Sequence, residues 1–573
     1  MIIIRLLIIG FLSLNTSIDK PGDKSIFISP VKIPLFLSAN FGELRVDHFH
    51  SGLDIKTQGV TGQEVVASAS GYVYRISVSP GGFGKALYVR HPSGYSTVYG
   101  HLDKFTPEIE NYVIDQQYSR KSYTVTLFPQ KEKFPIRQGE LIAYSGNSGS
   151  SAGPHLHYEI RKSENEMPVN PLLFEFGAND DIAPLIEKLV IYPINSQSVI
   201  NNRNKVKEIN VSGGNGNYYI PANNEITIGG LAGFGIKSFD RLNGSNNKCA
   251  VYSIELTIDS VSIFNYVMDG FSFSESRFVN SHIDYETYMK QKIYIERAFI
   301  LPNDKLGVYK DVIKRGIFNF NDDRAHNAQI VVTDAHNNKS VLSFTIKPQP
   351  ILYKNVAKRI DKNMKLMPYN KANSYISDSF SVSIPLGALY DTIYFDYKKS
   401  PGTNEMLSDL YNIHNKFTPL HKACTVSIKP KIIPNKKESK MLIVQLGDGL
   451  NMIPTNSSWS GEYLTADIFA FGNYFIGIDS VAPIISANGL ISGSNLSGRN
   501  EIRIKITDEF SGIKSYEPTI DGNWALFEYD QKNNLIIYRF DEKRIIKGTS
   551  HNLSLKVSDN KDNISYYNCE FTW

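Results

Sequence analysis

The stretch Gly153-Pro154-His155-Leu156-His157-Tyr158-Glu159-Ile160 reads as a β-strand with chemistry on one side. Its alternation turns Leu156, Tyr158 and Ile160 to a core and sets His155, His157 and Glu159 on the opposite face. At a rise of roughly 3.3 Å per residue, the two imidazoles stand about 6 to 7 Å apart. Such a pair can bind one metal jointly, or supply one ligand and one proton carrier. An isolated His-x-His is more often two solvated side chains, so its neighbours in sequence decide the reading.

Those neighbours are unusual. Six of the twelve histidines, His48, His50, His91, His101, His155 and His157, fall in the first 160 residues. In His50-Ser51-Gly52-Leu53-Asp54 an imidazole and a carboxylate stand four apart, and flanking Gly42, Gly52, Gly59 and Gly62 argue for turn and strand over helix. The pair then converges across a bend. From Phe36 to about Phe174 short alternating runs predominate: Tyr72, Tyr74, Ile76 and Val78 alternate with Val73, Arg75 and Ser77, as do Tyr95, Thr97 and Tyr99 with their neighbours. The region reads as β-structure.

A chain of 573 residues, with 42% hydrophobic and 21% charged residues, is too long for one domain and too apolar for disorder. The net charge of +4 comes without a basic block, so no nucleic-acid partner is expected. Cys249, Cys424 and Cys569 are odd in number and far apart, which excludes a disulfide framework and a Cys-x-x-Cys zinc site. Any metal site must draw on histidines and carboxylates.

In their order, His50-x3-Asp54, Tyr99-Gly100-His101-Leu102 and Gly153-Pro154-His155-Leu156-His157-Tyr158-Glu159 resemble the M23 family of zinc metallopeptidases, the lysostaphin- and LytM-like peptidoglycan endopeptidases. The resemblance spans roughly Ala39 to Phe174 and takes in Gly62-Gln63-Glu64-Val65-Val66-Ala67, the loop Gly81 to Gly84, and Gln138-Gly139-Glu140-Leu141-Ile142. It implies a Zn2+ cofactor held by His50, Asp54 and His157. It also implies that His101 and His155 act on the substrate and the bound water, with the general base between them left open. The implied substrate is a peptidoglycan peptide. His48 lacks the four-residue offset to Asp54, and His91, before Pro92, reads as a structural hydrogen-bonder. Glu159 reads equally well as a group orienting a ligand and as a surface carboxylate. Residues Glu108 to Phe134 look like an insertion into the compact family form, and the run Gly146 to Gly153 reads as a mobile groove wall.

Beyond Gly177, Asn-rich loops separate β-branched strands, and four landmarks recur in order. Ala183-Pro184, Gly235-Ile236-Lys237, Thr257-Ile258-Asp259 and Val332-Thr333-Asp334 with Asn338 return as Ala482-Pro483, Gly512-Ile513-Lys514, Thr519-Ile520-Asp521 and Val557-Ser558-Asp559 with Asn563. The expected architecture is therefore all-β and multidomain. It comprises an export signal at 1–18, an antiparallel LytM-like peptidase domain at 30–178, an immunoglobulin-like β-sandwich with insertions at 180–348, a β domain at 351–478 holding one short helix near Glu405 to Asn415, and a second immunoglobulin-like sandwich at 479–573. The apolar run from Met1 to Leu14 fits export to the periplasm or cell surface, and no later stretch is apolar enough for a membrane span. The expected function is a zinc endopeptidase cutting peptidoglycan cross-links. The alternatives are a non-catalytic LytM-like activator of cell-wall amidases, from which the five retained site positions argue away, and a surface or adhesion scaffold. The C-terminal modules read as spacers, or as binders of cell wall or of a protein partner.

Overall fold

Period-two alternation becomes strand pairing almost everywhere in the computed structural model, which describes residues 24–350 and 364–573. The expected export signal lies outside those residues. The chain is nearly all β. In its N-terminal part, β1 (Leu37–Ala39), β2 (Leu44–Arg45), β3 (His48–Phe49), β4 (Leu53–Lys56), β5 (Glu64–Val66), β6 (Gly71–Val78), β7 (Lys85–Arg90) and β8 (Tyr95–Phe105) precede α1 (Pro107–Arg120). Then follow β9 (Val125–Leu127), β10 (Pro135–Ile136), β11 (Leu141–Ser145) and β12 (His155–Lys162). The sheet runs β1-β4-β12-β8-β7-β6-β10, with β11 bridging β5 and β8. Leu156, Tyr158 and Ile160 of β12 are fully buried, as their alternation requires.

Several details depart from expectation. Residues 108–134 begin with a helix: Pro107 opens it, Glu108 and Glu110 sit in its first turn, and Ile109, Val113 and Gln117 bury one stripe at i, i+4, i+8 spacing. In β6 the core side is held by Val73, Ile76 and Val78, because the pairing with β7 shifts register between Val73 and Arg75 and throws Tyr72 and Tyr74 off the core face. The segment expected as a helix near Glu405 to Asn415 carries the strand Leu410–Ile413 instead. Tyr411 and Ile413 are buried there and the strand pairs with Tyr397–Ser400 and Gly472–Ile478, so cross-strand pairing overrides the local helical pattern.

One apolar cluster joins the N-terminal sheet to the 13-stranded system that follows it. Phe271 packs against Phe41 at 5.3 Å and Phe49 at 5.5 Å. Each such buried ring contributes about 1.5 to 3 kcal/mol, so the junction is a packed one. Residues 364–479 close two five-stranded sheets over a second core that includes Phe380, Val426, Ile468 and Tyr474. The last unit closes a four- and a five-stranded sheet over Ile504, Ile536, Leu555 and Phe571. It folds back on the N-terminal part: Trp524 meets Tyr118 edge-on at 5.2 Å, Glu528 pairs with Lys85 at 3.5 Å, and Arg544 pairs with Asp115 at 3.2 Å.

The repeat in the tail extends to individual hydrogen bonds. Asp259 accepts from His326 Nδ1 and the Asn327 amide, as Asp521 does from His551 Nδ1 and the Asn552 amide. Asp334 is wrapped by Asn338 as Asp559 is by Asn563. One landmark is misaligned. Gly235-Ile236-Lys237 lies in the strand Ile226–Phe239, whereas Gly512-Ile513-Lys514 opens the strand Ile513–Ile520, whose pairing with Ser550–Asp559 matches that of Ser253–Ile258 with His326–Thr333.

Candidate metal centre

Antiparallel pairing of β12 with β4 sets His157 directly opposite Asp54, and pairing with β8 sets His157 opposite Gly100. His50 arrives from the bend before β4. There Gly52 is obligatory, because a Cβ would lie 2.3 Å from the Tyr158 carbonyl oxygen and 2.8 Å from Glu159 Cγ. Three atoms converge: His50 Nε2 to Asp54 Oδ1 is 3.0 Å, His50 Nε2 to His157 Nδ1 is 3.1 Å, and His157 Nδ1 to Asp54 Oδ1 is 3.0 Å.

The remaining ring nitrogens fix what these atoms are. His50 Nδ1 donates to the Asn40 carbonyl at 2.7 Å, and burial holds this imidazole below its usual pKa, so Nε2 presents a lone pair. His157 Nε2 donates to Glu159 Oε1 at 2.9 Å, leaving Nδ1 for the centre. Three acceptors face one another, and only something positive between them makes the arrangement stable. In the metal-free chain a proton serves. Burial opposes charge on His157, but hydrogen bonds to Asp54 and Glu159 outweigh it and push its pKa up to about 9. Burial raises the Asp54 carboxyl as well and is outweighed, first by His50 and then by the other imidazoles, so Asp54 stays ionised. One proton satisfies only one edge of the triangle. A tetrahedral divalent ion satisfies all three, since its ligands stand roughly 3.3 Å apart. The donor set fits.

Glu159 is fully buried rather than a surface carboxylate. Besides His157 it accepts from Ser51 Oγ at 2.5 Å and Arg161 Nε at 2.5 Å. Burial raises its pKa and Arg161, then His157, lowers it to about 2. Phe83 stacks on the His157 ring at 4.7 Å. His157 is thus gripped on its far nitrogen and on one face.

His101 and His155 flank the centre with rings 4.8 Å apart. His155 Nδ1 contacts the Gly153 carbonyl at 2.9 Å, and its Nε2 stands 3.4 Å from Asp54 Oδ1. His101 sits at a bulge where Gly100 and His101 together oppose Ala86, with φ 58. Its Nδ1 donates to the Ser148 carbonyl at 2.9 Å, leaving Nε2 unprotonated, and burial first, then His157 and His155, hold its pKa down at about 3. His48 is exposed and bonds the Val46 carbonyl, while His91 is held between the Ser70 carbonyl and Thr97 Oγ1.

The five residues open on a groove of about 1200 Å³. The loop 150–153 walls it as expected, but Lys532 of the last unit holds that loop by donating to the Ser151 carbonyl at 3.0 Å and to the Asn147 carbonyl. Phe273, Ser276 and Arg277 of the adjoining unit also line it, with Arg277 paired to Asp47 at 3.1 Å. Sequence reading missed these wall residues, which stand more than a hundred positions from the motif and carry no local signal.

The pattern of "Peptidase family M23" matches residues 48–119 and 115–171, and that of a "Zu5-like domain" matches 364–479. The chain is 35% identical over 123 residues to the DD-carboxypeptidase/endopeptidase Mpg of Neisseria meningitidis, covering 22% of each protein. It is 28% identical over 116 residues to Lipoprotein NlpD of Yersinia enterocolitica, covering 20% of this chain and 93% of that one. A solved zinc containing peptidase from Vibrio cholerae aligns at 25% identity with a TM-score of 0.19, over 26% of this chain and 40% of that one. The match to Mpg spans about a fifth of that relative's length. Over residues 48–171 this chain is therefore similar to peptidase family M23.

Proposed function

We propose that the protein is an exported zinc endopeptidase that hydrolyses peptide cross-links of peptidoglycan. The observation that carries this is the convergence of His50 Nε2, Asp54 Oδ1 and His157 Nδ1, three acceptors with no donor of their own, at the floor of an open groove beside two further imidazoles. His50, Asp54 and His157 would hold the zinc. When bound, zinc polarises a scissile carbonyl and acidifies water. His101 and His155, each anchored to a backbone carbonyl through Nδ1, present Nε2 to the groove. One takes the proton of the attacking water at Nε2 and passes it to the leaving amine, and the other accepts that water's second hydrogen at Nε2 and holds it in place. Arg45 and Arg277 on the groove walls suit the carboxylates of stem peptides.

Mpg, the relative at 35% identity, is named a DD-carboxypeptidase/endopeptidase, which favours a cut in a stem or cross-link peptide. Export rests on the apolar run from Met1 to Leu14. Among the described residues no helix is long and apolar enough to cross a membrane.

Digestion of purified sacculi, with fragments sized by mass spectrometry, tests the proposal. New amino groups without reducing ends, and conversion of cross-linked dimers to monomers with sugar attached, are expected. Free stem peptides would reassign the enzyme as an amidase. Intact sacculi together with stimulation of an added amidase would support the regulatory reading.

A further inference from the structure

The two related units of the tail differ at one place, and the difference points to a ligand. Pairing of Leu185 with Phe239 in the first unit and of Ile484 with Thr507 in the second makes Asp240 and Asp508 equivalent. Ser340 Oγ bonds the Pro184 carbonyl as Ser565 Oγ bonds that of Pro483, so Asp180 matches Asp479 and Asp334 matches Asp559. Each unit thus gathers three aspartates where the chain enters it.

In the second unit every one of these carboxylates is served by the protein. Asp479 accepts from the Val481 amide at 3.2 Å and the Ser511 amide at 3.0 Å, and Asp508 from the Phe510 amide at 3.1 Å and the Gly512 amide at 2.6 Å. Asp559 accepts from the Lys561 and Asn563 amides and from Asn563 Nδ2. Lys561 also adds a positive charge beside them.

In the first unit Asp334 keeps the matching donors, the His336 and Asn338 amides and Asn338 Nδ2, but Asp180 and Asp240 are served less fully. Asp180 Oδ1 accepts from the Ile182 and Asn243 amides, but Oδ2 is buried without a partner. Asp240 is 3% exposed, and its Oδ1 also has no partner. Burial, then the charges of the nearby Asp334 and Asp180, push its carboxyl up to about 8. Among the described residues no cation lies within ion-pair distance of any of the three. Where the second unit has Lys561, the first has His336, whose Nε2 donates to the Ala178 carbonyl at 2.8 Å and whose Nδ1 therefore keeps its lone pair. Ligand atoms of Asp180, Asp334 and His336 lie within 4.8 Å of one another, as do those of Asp479, Asp508 and Asp559, so the difference between the units lies in the donors and not in the convergence. His336 and Asn337 also line a cavity of about 780 Å³ at the junction with the peptidase domain.

We propose that Asp180, Asp240, Asp334 and His336 bind one divalent cation of the oxygen-preferring class, calcium or manganese, and that the equivalent cluster in the last unit binds none. Carboxylate-rich sets select such ions, and manganese also accepts imidazole. The ion would tie the connecting segment 177–182 to the turn at Asp334, fixing the peptidase domain on the unit behind it.

The test uses the full chain with zinc already loaded, titrated calorimetrically with calcium chloride and separately with manganese chloride, alongside thermal unfolding. One ion per chain and a raised midpoint are expected with at least one of the two. Asp240→Asn and Asp180→Asn should each weaken binding at least tenfold, while Asp508→Asn leaves it unchanged. Without added ion, Asp240→Asn should unfold at a higher temperature than the parent, since it removes a buried carboxyl that must take up a proton on folding. The proposal is overturned by no binding of either ion, by two equal sites, or by parental affinity in a folded Asp240→Asn or Asp180→Asn chain.

Discussion

Replacing Glu159 with Gln tests whether the group behind His157 governs the metal. The substitution keeps the shape but turns one oxygen into a donor, and all three partners of this buried carboxylate, His157 Nε2, Ser51 Oγ and Arg161 Nε, are themselves donors. If the amide NH2 faces His157, the ring must accept at Nε2 and protonate at Nδ1, which removes the metal-facing lone pair. Loss of such a supporting contact typically costs about 10- to 100-fold in metal affinity, or roughly 1.4 to 2.8 kcal/mol. Arg161 loses its main partner, and breaking a buried pair costs about 3 to 5 kcal/mol. Glu166, at 3.5 Å, still compensates it, so the lower end applies. Zinc affinity, read by competition with a chromophoric chelator on protein shown to be folded, should fall at least tenfold, and turnover should recover in part at saturating zinc. A folded Glu159→Gln chain with zinc affinity within threefold of the parent would refute the reasoning.

Four further outcomes are expected. Ala at His50, Asp54 or His157 should abolish tight zinc binding, whereas His101→Ala and His155→Ala should keep zinc and lose about 100-fold or more in turnover, as elemental analysis and sacculus digestion would reveal. In the metal-free chain the His157 pKa of about 9 lies above its unfolded value, so its contribution is complete below about pH 6.5 and lost as pH rises through 9. His101 and His50 are neutral in both states across that window. Urea midpoints in chelator should therefore drop between pH 7 and 9.5, by about 3 kcal/mol in all, with zinc affinity rising over the same range; a flat profile rejects the shared proton. Gly52→Ala should disrupt the site, since its methyl group meets the Tyr158 carbonyl, and circular dichroism with zinc titration would report it. Residues 479–573, with their own closed core, should unfold cooperatively when expressed alone, and a fragment without a transition would make them a layer of a larger unit.

The ligand geometry was legible because its determinants are local. Period two put His155, His157 and Glu159 on one face, and the four-residue offset across Gly52 brought His50 to Asp54. What surrounds those residues was not. Whether Glu159 is solvated or sealed depends on Ser51 and Arg161, and sequence alternation says only which face a residue takes, not what covers it. Residues Glu108 to Phe134 read from the sequence only as an insertion, although Thr106-Pro107-Glu108 and the Ile109, Val113, Gln117 spacing are a start signal and a stripe; charged residues on the other faces of α1 mask them. Ile226–Phe239 misled for another reason: Gly-Ile-Lys occurs in both units, but on strands that are successive in the chain and not equivalent, so matching letters aligned unmatched positions.

Correct alignment changes what the repeat says about chemistry. With the tripeptide as guide, Asp240 has no counterpart and passes for a loop residue. With strand register as guide, it falls on Asp508, and the two copies become a controlled comparison: three aspartates in each, amides and Lys561 serving one set, two orphaned oxygens and His336 in the other. Burying a carboxylate oxygen without a donor costs several kcal/mol, and duplicated units start with the same solution to it. In the last unit backbone amides of the turn Glu509 to Gly512 serve Asp479 and Asp508, while the first has Arg241-Leu242-Asn243 at that place, from which only the Asn243 amide serves the cluster, at Asp180. Asp334 keeps its amides and Asn338, so the orphaned oxygens of Asp180 and Asp240 are what the first unit leaves for a ligand, and the cost of burying Asp240 without one is why Asp240→Asn should both stabilise the ion-free chain and weaken its response to the ion.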